Sequence, residues 1–400
     1  MSIASRPNVI IFCDHLLYIS ETFIRAQAQA LCQFSAVYAG SRRVAGLELP
    51  AGSTHTINPG DISGKMREVA FKLFGRAPAL VRRLQMLDPV LLHAHFGPDG
   101  LRALPLSRQL GLPLIVTFHG SDATALHPRR GEAPFGHRRY LAHRDVLQRG
   151  ASLFLAVSDF VRRKLLEQNV SPEKIFRHYI GVDTNFFLPV KEDTDPIVLF
   201  VGRLSERKGP NYLIQSMAEV QQQHPEVELV LIGDGPLRKN LEQQAKASLR
   251  RYRFLGTQPP EIVRGWMDRA RVFSAPSVRV ASGEEEAFGM VFAESQAMQK
   301  PVVAFASGGV VEAVRHGQSG FLAPERDWRK LAEYLAQLLR DGGLRRRFGA
   351  AGRQHVLHRF DLEKQTRILE TIYSKIIANH MSARMQPLTS IRKVEICHES

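Results

Sequence analysis

Short apolar runs alternate with longer segments of helical period along the whole chain. In the first half NVIIFC (8–13), AVYAG (36–40), LLHAHF (91–96), LIVTFH (114–119) and LFLAVS (153–158) read as strands. The second half repeats the rhythm with IVLFVG (197–202), ELVLIG (228–233), YRFLG (252–256), RVFSAPS (271–277) and PVVAFAS (301–307). Between them lie amphipathic stretches such as ETFIRAQAQALC (21–32), which Ser20 would cap. Strands that are apolar on both faces and separated by helices predict buried parallel sheets with right-handed crossovers. Two such series predict an α/β chain of two facing, doubly wound, Rossmann-like domains, spanning 1–188 and 189–360. The join falls in LPVKEDTDP (188–196), which is charged, proline-flanked and without apolar period. A helix over 361–379 is expected to pack back toward the N-terminal domain, and residues 380–400, with no sustained period, are expected to form a disordered tail.

Composition changes this picture in one respect. With 400 residues, 44% of them hydrophobic and 23% charged, the chain has the make-up of a globular enzyme rather than a fibrous or disordered one. Cys13, Cys32 and Cys397 are scattered and belong to no CxxC or Cys/His cluster, so neither a disulfide framework nor a zinc site is expected. The first thirty residues show no basic region followed by an apolar one, and no window approaches the length of a membrane span, so a cytoplasmic chain is expected. The net charge of +15 is the unusual quantity, and it implies an anionic partner. From Lys65 to Arg83, basic residues interleave with Val69, Phe71, Phe74 and Leu80 as they would in an interfacial helix pair, although a packed amphipathic helix has the same pattern. This stretch makes a peripheral position on the inner face of the cytoplasmic membrane an expectation to test.

In open α/β sheets chemistry gathers at the carboxyl ends of the strands. After IVLFV comes GRLSERKG (202–209), in which Gly202 allows a tight turn while Arg203 and Lys208 set two cations beside a helix starting at Pro210. A helix N-terminus with two cations suits a diphosphate. The next loop, GDGPL (233–237), turns on Gly233 but carries Arg238 where a dinucleotide fingerprint needs its third glycine. In EEEAFGMVFAES (284–295), Glu286 falls in a loop and Glu294 about one turn into a helix beginning near Met290, so two carboxylates flank the amides of Gly289 and Met290. Ionised carboxylates accept only, which matches sugar hydroxyls, and the amides suit phosphates; a solvated acidic loop would also explain the glutamates. Gly308 and Gly309 in PVVAFASGGVVEAV (301–314) supply a further turn on the same edge.

These motifs resemble the donor-binding domain of the retaining glycosyltransferases of family 4, which have the GT-B fold. The matching runs are FVGRLSERKG, LVLIGDGPL, RFLG, APS, EAFGMVFAESQAM, PVVAFASGGV and GFLAP, covering about Pro196 to Trp328, with AVSDFVRRKL (156–165) and IGVDTNFF (180–187) at the join. In the first half LLHAHFGPDG (91–100), VTFHGSD (116–122) and SETFIRAQ (20–27) are similar to members that build bacterial surface polysaccharides. The resemblance implies that Glu286 contacts hydroxyls of the donor sugar, Glu294 holds the ribose, and Arg203 and Lys208 neutralise the leaving diphosphate. Phe288, Gly289 and Met290 would line the donor pocket and Gly256 and Thr257 border the base, while His119 and Asp122 would face the donor from the first domain. Ser20, Glu21 and Thr22 stand where the family's first loop approaches the phosphates or the acceptor, without its usual paired glycines.

The resulting expectation is a retaining hexosyltransferase that uses a nucleoside diphosphate sugar such as a UDP-sugar or GDP-mannose. Its acceptor would be a polysaccharide or lipid-linked oligosaccharide of exopolysaccharide, lipopolysaccharide or capsule biosynthesis. No cofactor is expected and no metal, since the one DTD, at 193–195, lies in the linker. A sugar-nucleotide epimerase or a phosphorylase-type enzyme would share the fold. A basic nucleic-acid-binding protein is disfavoured, because no basic stripe interleaved with aromatics stands out and such a role leaves the recurring glycine turns unexplained.

Overall fold

A computed structural model describes residues 6–124, 135–190 and 194–385. Its first sheet holds β1 (Asn8–Phe12), β2 (His15–Leu16), β3 (Ser35–Arg43), β4 (Thr54–Asn58), β5 (Pro89–His95), β6 (Leu114–Phe118), β7 (Leu153–Ala156) and β8 (Ile175–Arg177). They run in the order β2-β3-β1-β5-β6-β7-β8, with β4 on the outer side of β3. The second sheet holds β9 (Asp195–Val201), β10 (Glu228–Ile232), β11 (Tyr252–Phe254), β12 (Ala270–Ser274), β13 (Val302–Phe305) and β14 (Gly320–Ala323), in the order β11-β10-β9-β12-β13-β14. The pairings within both sheets are parallel. In each sheet the order reverses beside a central strand, β1 or β9, which opens a crevice at the carboxyl edge.

Strand β1 shows why both faces must be covered. Ile10 and Phe12 enter one apolar cluster while Val9 and Ile11 enter another on the opposite face. The second cluster is completed from far along the chain by Leu369, Ile372 and Tyr373 of the long helix Leu362–Met385. That helix is pinned to the first domain by polar bonds as well. The Glu370 carboxylate accepts from the amides of Cys32 (2.7 Å) and Gln33 (2.6 Å), and the Tyr373 hydroxyl lies 2.6 Å from His93 Nδ1. The helix continues through residues 380–385, which were expected to belong to a disordered tail; the rest of that expected tail lies outside the described residues.

Four elements differ from the sequence expectation. β2 (HL) and β8 (IFR) form no apolar run, β4 (THTIN) is largely polar and half-buried over its first three residues, and β14 (GFLA) opens on a glycine, so these four do not stand out in the pattern. The first helix starts at Thr22 rather than Glu21, and Glu21 rather than Ser20 occupies its cap position, with no side-chain cap bond. Of the linker DTD, Asp195 opens β9 and pairs with Arg269 at 2.7 Å, while Asp193 lies outside the described residues.

The two domains meet through a small set of specific contacts. Glu312, on the short helix Val310–Ala313, accepts from the amides of Asp159 and Phe160, both at 2.7 Å, and so caps the first-domain helix Asp159–Glu167 from the other domain. Ser158 Oγ donates to the Ala287 carbonyl at 2.6 Å. Gly120 packs so closely that a Cβ there would collide with the Ala287 side chain, and its φ of +142° also favours glycine. Replacing Glu312 by Ala should cost about 1–2 kcal/mol, the range for a lost cap. A thermal-unfolding comparison would read this as a lowered midpoint, and an unchanged midpoint would show that the carboxylate contributes nothing at this seam.

Candidate active site

The carboxyl edges of the two sheets face one another across a cleft of about 1170 Å³. Its walls include Ser20, Thr22 and Phe23 from the first domain and Gly202, Arg203, Gly233, Thr257, Met290 and Glu294 from the second. Three turns stand side by side on the second edge because β9, β10 and β11 are neighbours. The Gly233 amide donates to the Gly256 carbonyl at 2.8 Å, and the Gly202 amide to the Ile232 carbonyl at 3.0 Å. Gly233 has φ +134°, and a Cβ there would overlap the Gly202 carbonyl, so a side chain is excluded where these turns cross.

Glu286 is the electrostatic centre. It is 6% exposed, and its Oε2 accepts from Lys208 Nζ, lies 3.4 Å from Arg207 Nη1 and 3.3 Å from Ser277 Oγ. Burial by itself would raise its pKa, but Lys208 and then Arg207 overcome that and bring it down to about 2. The same burial lowers the pKa of Lys208, against the pull of Glu286. The sequence pattern singled out Arg203 and Lys208 as the phosphate cations. In the structure Lys208 is engaged by Glu286, Arg203 lines the open cleft, and Arg207 is a third cation that the reading missed. Its neighbour in the RK pair was the available signal.

Gly289 ends this loop with φ +78° and caps the helix Met290–Ala297 with no side-chain bond, and Met290, the first helical residue, lines the cleft. Glu294 follows on the same wall. Burial raises its pKa to about 7, only partly offset by Lys208. Phe288 does not line the cleft: it is 1% exposed and its ring packs against Tyr179 and Phe360, with centroids 5.6 and 4.8 Å away. Its part is to anchor the loop from below, since an aromatic ring two residues from Glu286 found a core rather than a ligand.

From the first domain, His119 packs between Phe23 and Phe96, with ring centroids 4.9 and 4.6 Å apart. Phe96 adopts φ +70°, a strained conformation for such a side chain, at the end of β5. His119 Nε2 lies 3.0 Å from His95 Nδ1, and burial, reinforced by His95, keeps the His119 pKa well below its ordinary value. His119 Nδ1 is buried without a hydrogen-bond partner in the protein. Asp122, expected to face the donor, is 3% exposed and takes the amides of Gly97, His119 and Gly120 on its oxygens. It builds the turn that aims His119 and is not a ligand contact. His95 was missed, although HAH spacing on a strand places His93 and His95 on one face. Glu21 bonds the Tyr18 amide at 2.9 Å and thereby shapes the first loop, leaving Ser20 and Thr22 on the cleft wall.

Sequence comparison agrees with this geometry. The family model Glycosyltransferase Family 4 matches residues 21–186, and the model Glycosyl transferases group 1 matches residues 182–355. The chain thus carries a glycosyltransferase family 4 domain followed by a glycosyl transferases group 1 domain, in the GT-B architecture of two parallel-sheet domains. Over 253 residues it is 32% identical to the WcaL glycosyltransferase of Escherichia coli K12, named for colanic acid biosynthesis, covering 61% of this chain and 60% of that one. The amylovoran biosynthesis glycosyltransferase AmsK of Erwinia amylovora is 28% identical over 72% of this chain and 77% of its own. Thus the chain spans about 60% of the length of the first of these relatives. Among solved structures, Anabaena Alr3699/HepE in complex with UDP and glucose superposes with a TM-score of 0.72 at 22% identity, covering 92% of this chain and all of that one.

A pH test follows from Glu294. Its folded pKa, about 7, lies above its ordinary value of 4.5, so between these pH values the folded state holds a proton that the unfolded state has released. This carboxylate therefore withdraws stability as pH rises from about 4.5 through 7. In Glu294→Gln that loss disappears, and the variant's thermal midpoint should gain on the parent's between pH 5 and pH 8. Parallel midpoint curves across that window would contradict the assignment.

Proposed function

We propose that the protein is a retaining hexosyltransferase. It takes a hexose from a UDP- or GDP-sugar and passes it to a saccharide or lipid-linked saccharide during bacterial surface-polysaccharide assembly. The reading is supported above all by a cleft wall that carries Arg203, Met290 and Glu294, with Lys208 and Arg207 gathered on Glu286 close to Glu294, so that a diphosphate entering there would meet positive charge. The names of the relatives, colanic acid and amylovoran biosynthesis, support the polysaccharide acceptor, and the UDP bound by the Anabaena protein supports a nucleotide donor.

In this reading Glu294 accepts from the ribose hydroxyls, and Thr257, at the next turn, borders the base. The incoming diphosphate competes for Lys208, and Glu286, loosened from its cation, accepts from hydroxyls of the hexose. From the first domain His119, held neutral, offers its unpartnered Nδ1 to the sugar. The bond between the anomeric carbon and the diphosphate oxygen breaks, and the acceptor hydroxyl attacks from the same face. Its proton passes to the departing diphosphate, which leaves with the electron pair. Charge builds on the leaving group in the transition state, so Lys208, Arg207 and Arg203 act where they lower the barrier most. Closing the two domains over the donor excludes water that would otherwise intercept the sugar. The enzyme works at the inner face of the cytoplasmic membrane, where a lipid-linked acceptor resides; among the described residues no helix is long and apolar enough to cross a membrane.

The test is a thermal-shift screen of the purified protein with UDP, GDP, ADP, NAD and pyridoxal phosphate, run beside Lys208→Ala and Glu294→Ala. One nucleoside diphosphate should raise the midpoint of the parent, with the shift lost in both variants. Transfer from the matching sugar nucleotide should fall about 10²–10³-fold in Lys208→Ala. Stabilisation by pyridoxal phosphate or NAD in place of a nucleoside diphosphate would overturn the proposal.

A further inference from the structure

The helix Ile62–Phe74 turns Gly64, Glu68 and Phe71 into the first domain and an apolar ridge outward. Ile62, Met66, Val69 and Leu73 are 79, 69, 57 and 52% exposed, and Phe74 closes the ridge at 74%. At 3.6 residues per turn the first four share about 60° of the helix circumference. Large apolar side chains massed in this way on an outer face mark an interaction surface, since a solvated helix face would be polar.

The charge around the ridge has one sign. By helical spacing Lys65 lies on one flank and Arg67 on the other, while Glu68 is buried and engaged by Asn58 and Lys72 at 2.7 and 2.6 Å. The exception is Asp61 at the helix start, whose carboxylate bonds the Gly64 amide and lies 3.6 Å from Arg67. Beside the ridge, toward the short helix Pro78–Gln85, runs a groove of about 920 Å³. Ile57, Ala70, Phe74 and Leu80 line it, and Arg67, Arg76 and Arg83 contribute its cations.

An apolar ridge bordered by long cationic side chains matches a bilayer surface: the ridge enters the acyl boundary and the cations stay among phosphates. A soluble acidic partner would account for the cations but not for the ridge, and a second copy of this chain would set like charges against each other. We propose that this face docks on an anionic bilayer. Ile62, Met66, Val69, Leu73 and Phe74 are immersed, Lys65, Arg67 and Arg76 meet lipid phosphates, and the groove receives an acyl chain. Lys72, 3.4 Å from Asp14 at the carboxyl end of β1, ties the docked helix to the edge from which the cleft opens. The proposal deepens the reading of a membrane-linked acceptor and rests on it for its purpose, whereas lipid binding itself needs no transfer activity.

The experiment is sedimentation of the full chain with vesicles of phosphatidylglycerol and phosphatidylethanolamine, against vesicles of phosphatidylcholine alone. Binding to the anionic vesicles should be at least tenfold tighter and should weaken as salt rises. Val69→Glu with Leu73→Glu should reduce it tenfold or more, as should Arg67→Glu with Arg76→Glu. All four sites are exposed, so circular dichroism and the thermal midpoint should stay those of the parent. The donor-site variant Lys208→Ala should sediment like the parent, which separates a failure of the transferase reading from a failure of this one. Equal binding to both vesicle types, or undiminished binding by the Val69/Leu73 variant, would overturn the proposal. So would a parent dimer that those substitutions dissociate without any lipid preference.

Discussion

An ionised carboxylate set among apolar side chains stays charged only when cations are brought to it, and the second domain is arranged to satisfy that demand at Glu286. Strands β9 and β12 are hydrogen-bonded neighbours, so the loop carrying Arg207 and Lys208 and the loop carrying Ser277 and Glu286 leave the sheet side by side. Their approach is close enough that a Cβ at Gly209 would overlap the Pro276 carbonyl. Removing one member of such a cluster leaves an uncompensated buried charge, a situation that costs about 3–5 kcal/mol. Lys208 and Arg207 are therefore held in place by the fold itself.

The first domain contributes by placement. His119 is aimed by the Asp122 turn below it, fixed by His95 behind it and enclosed by Phe23 and Phe96. The facing position of the two walls depends on the Ser158 bond to the Ala287 carbonyl, one residue from Glu286, and on the cap that Glu312 provides. The chain crosses between domains twice, and the crossings lie together. Val182 donates to Phe360 at 2.7 Å and Leu362 donates back to Val182 at 2.9 Å. Two adjacent crossings at one edge have the geometry of a hinge.

Much of this was legible in the chain. Continuous apolar runs revealed most of the strands, because a buried parallel strand needs apolar side chains on both faces. Glycine turns after successive strands located the working edge, and the loop position of Glu286 and helical position of Glu294 followed from where the helix at Met290 could begin. Strands β2, β4, β8 and β14 were not legible, since they form no sustained apolar run and owe their pairing to neighbours already in place.

Side-chain fate divides along the same line. Phe288 and Asp122 sit in motifs that suggest ligand contact, yet one is core and the other holds backbone amides, because burial is decided by what packs from elsewhere: Tyr179 and Phe360 in the first case, the Gly97 and Gly120 amides in the second. Likewise the amphipathic pattern from Lys65 to Arg83 is compatible with either a packed or an exposed helix, and only the packing of Glu68 and Phe71 shows which face is left outside. The sequence by itself determined the element types, the two-domain division and the loops where chemistry gathers, all of which are set by local period and turn geometry. Tertiary structure alone decided which charges pair, which rings are buried and which helix face stays bare, because each depends on residues distant in the chain.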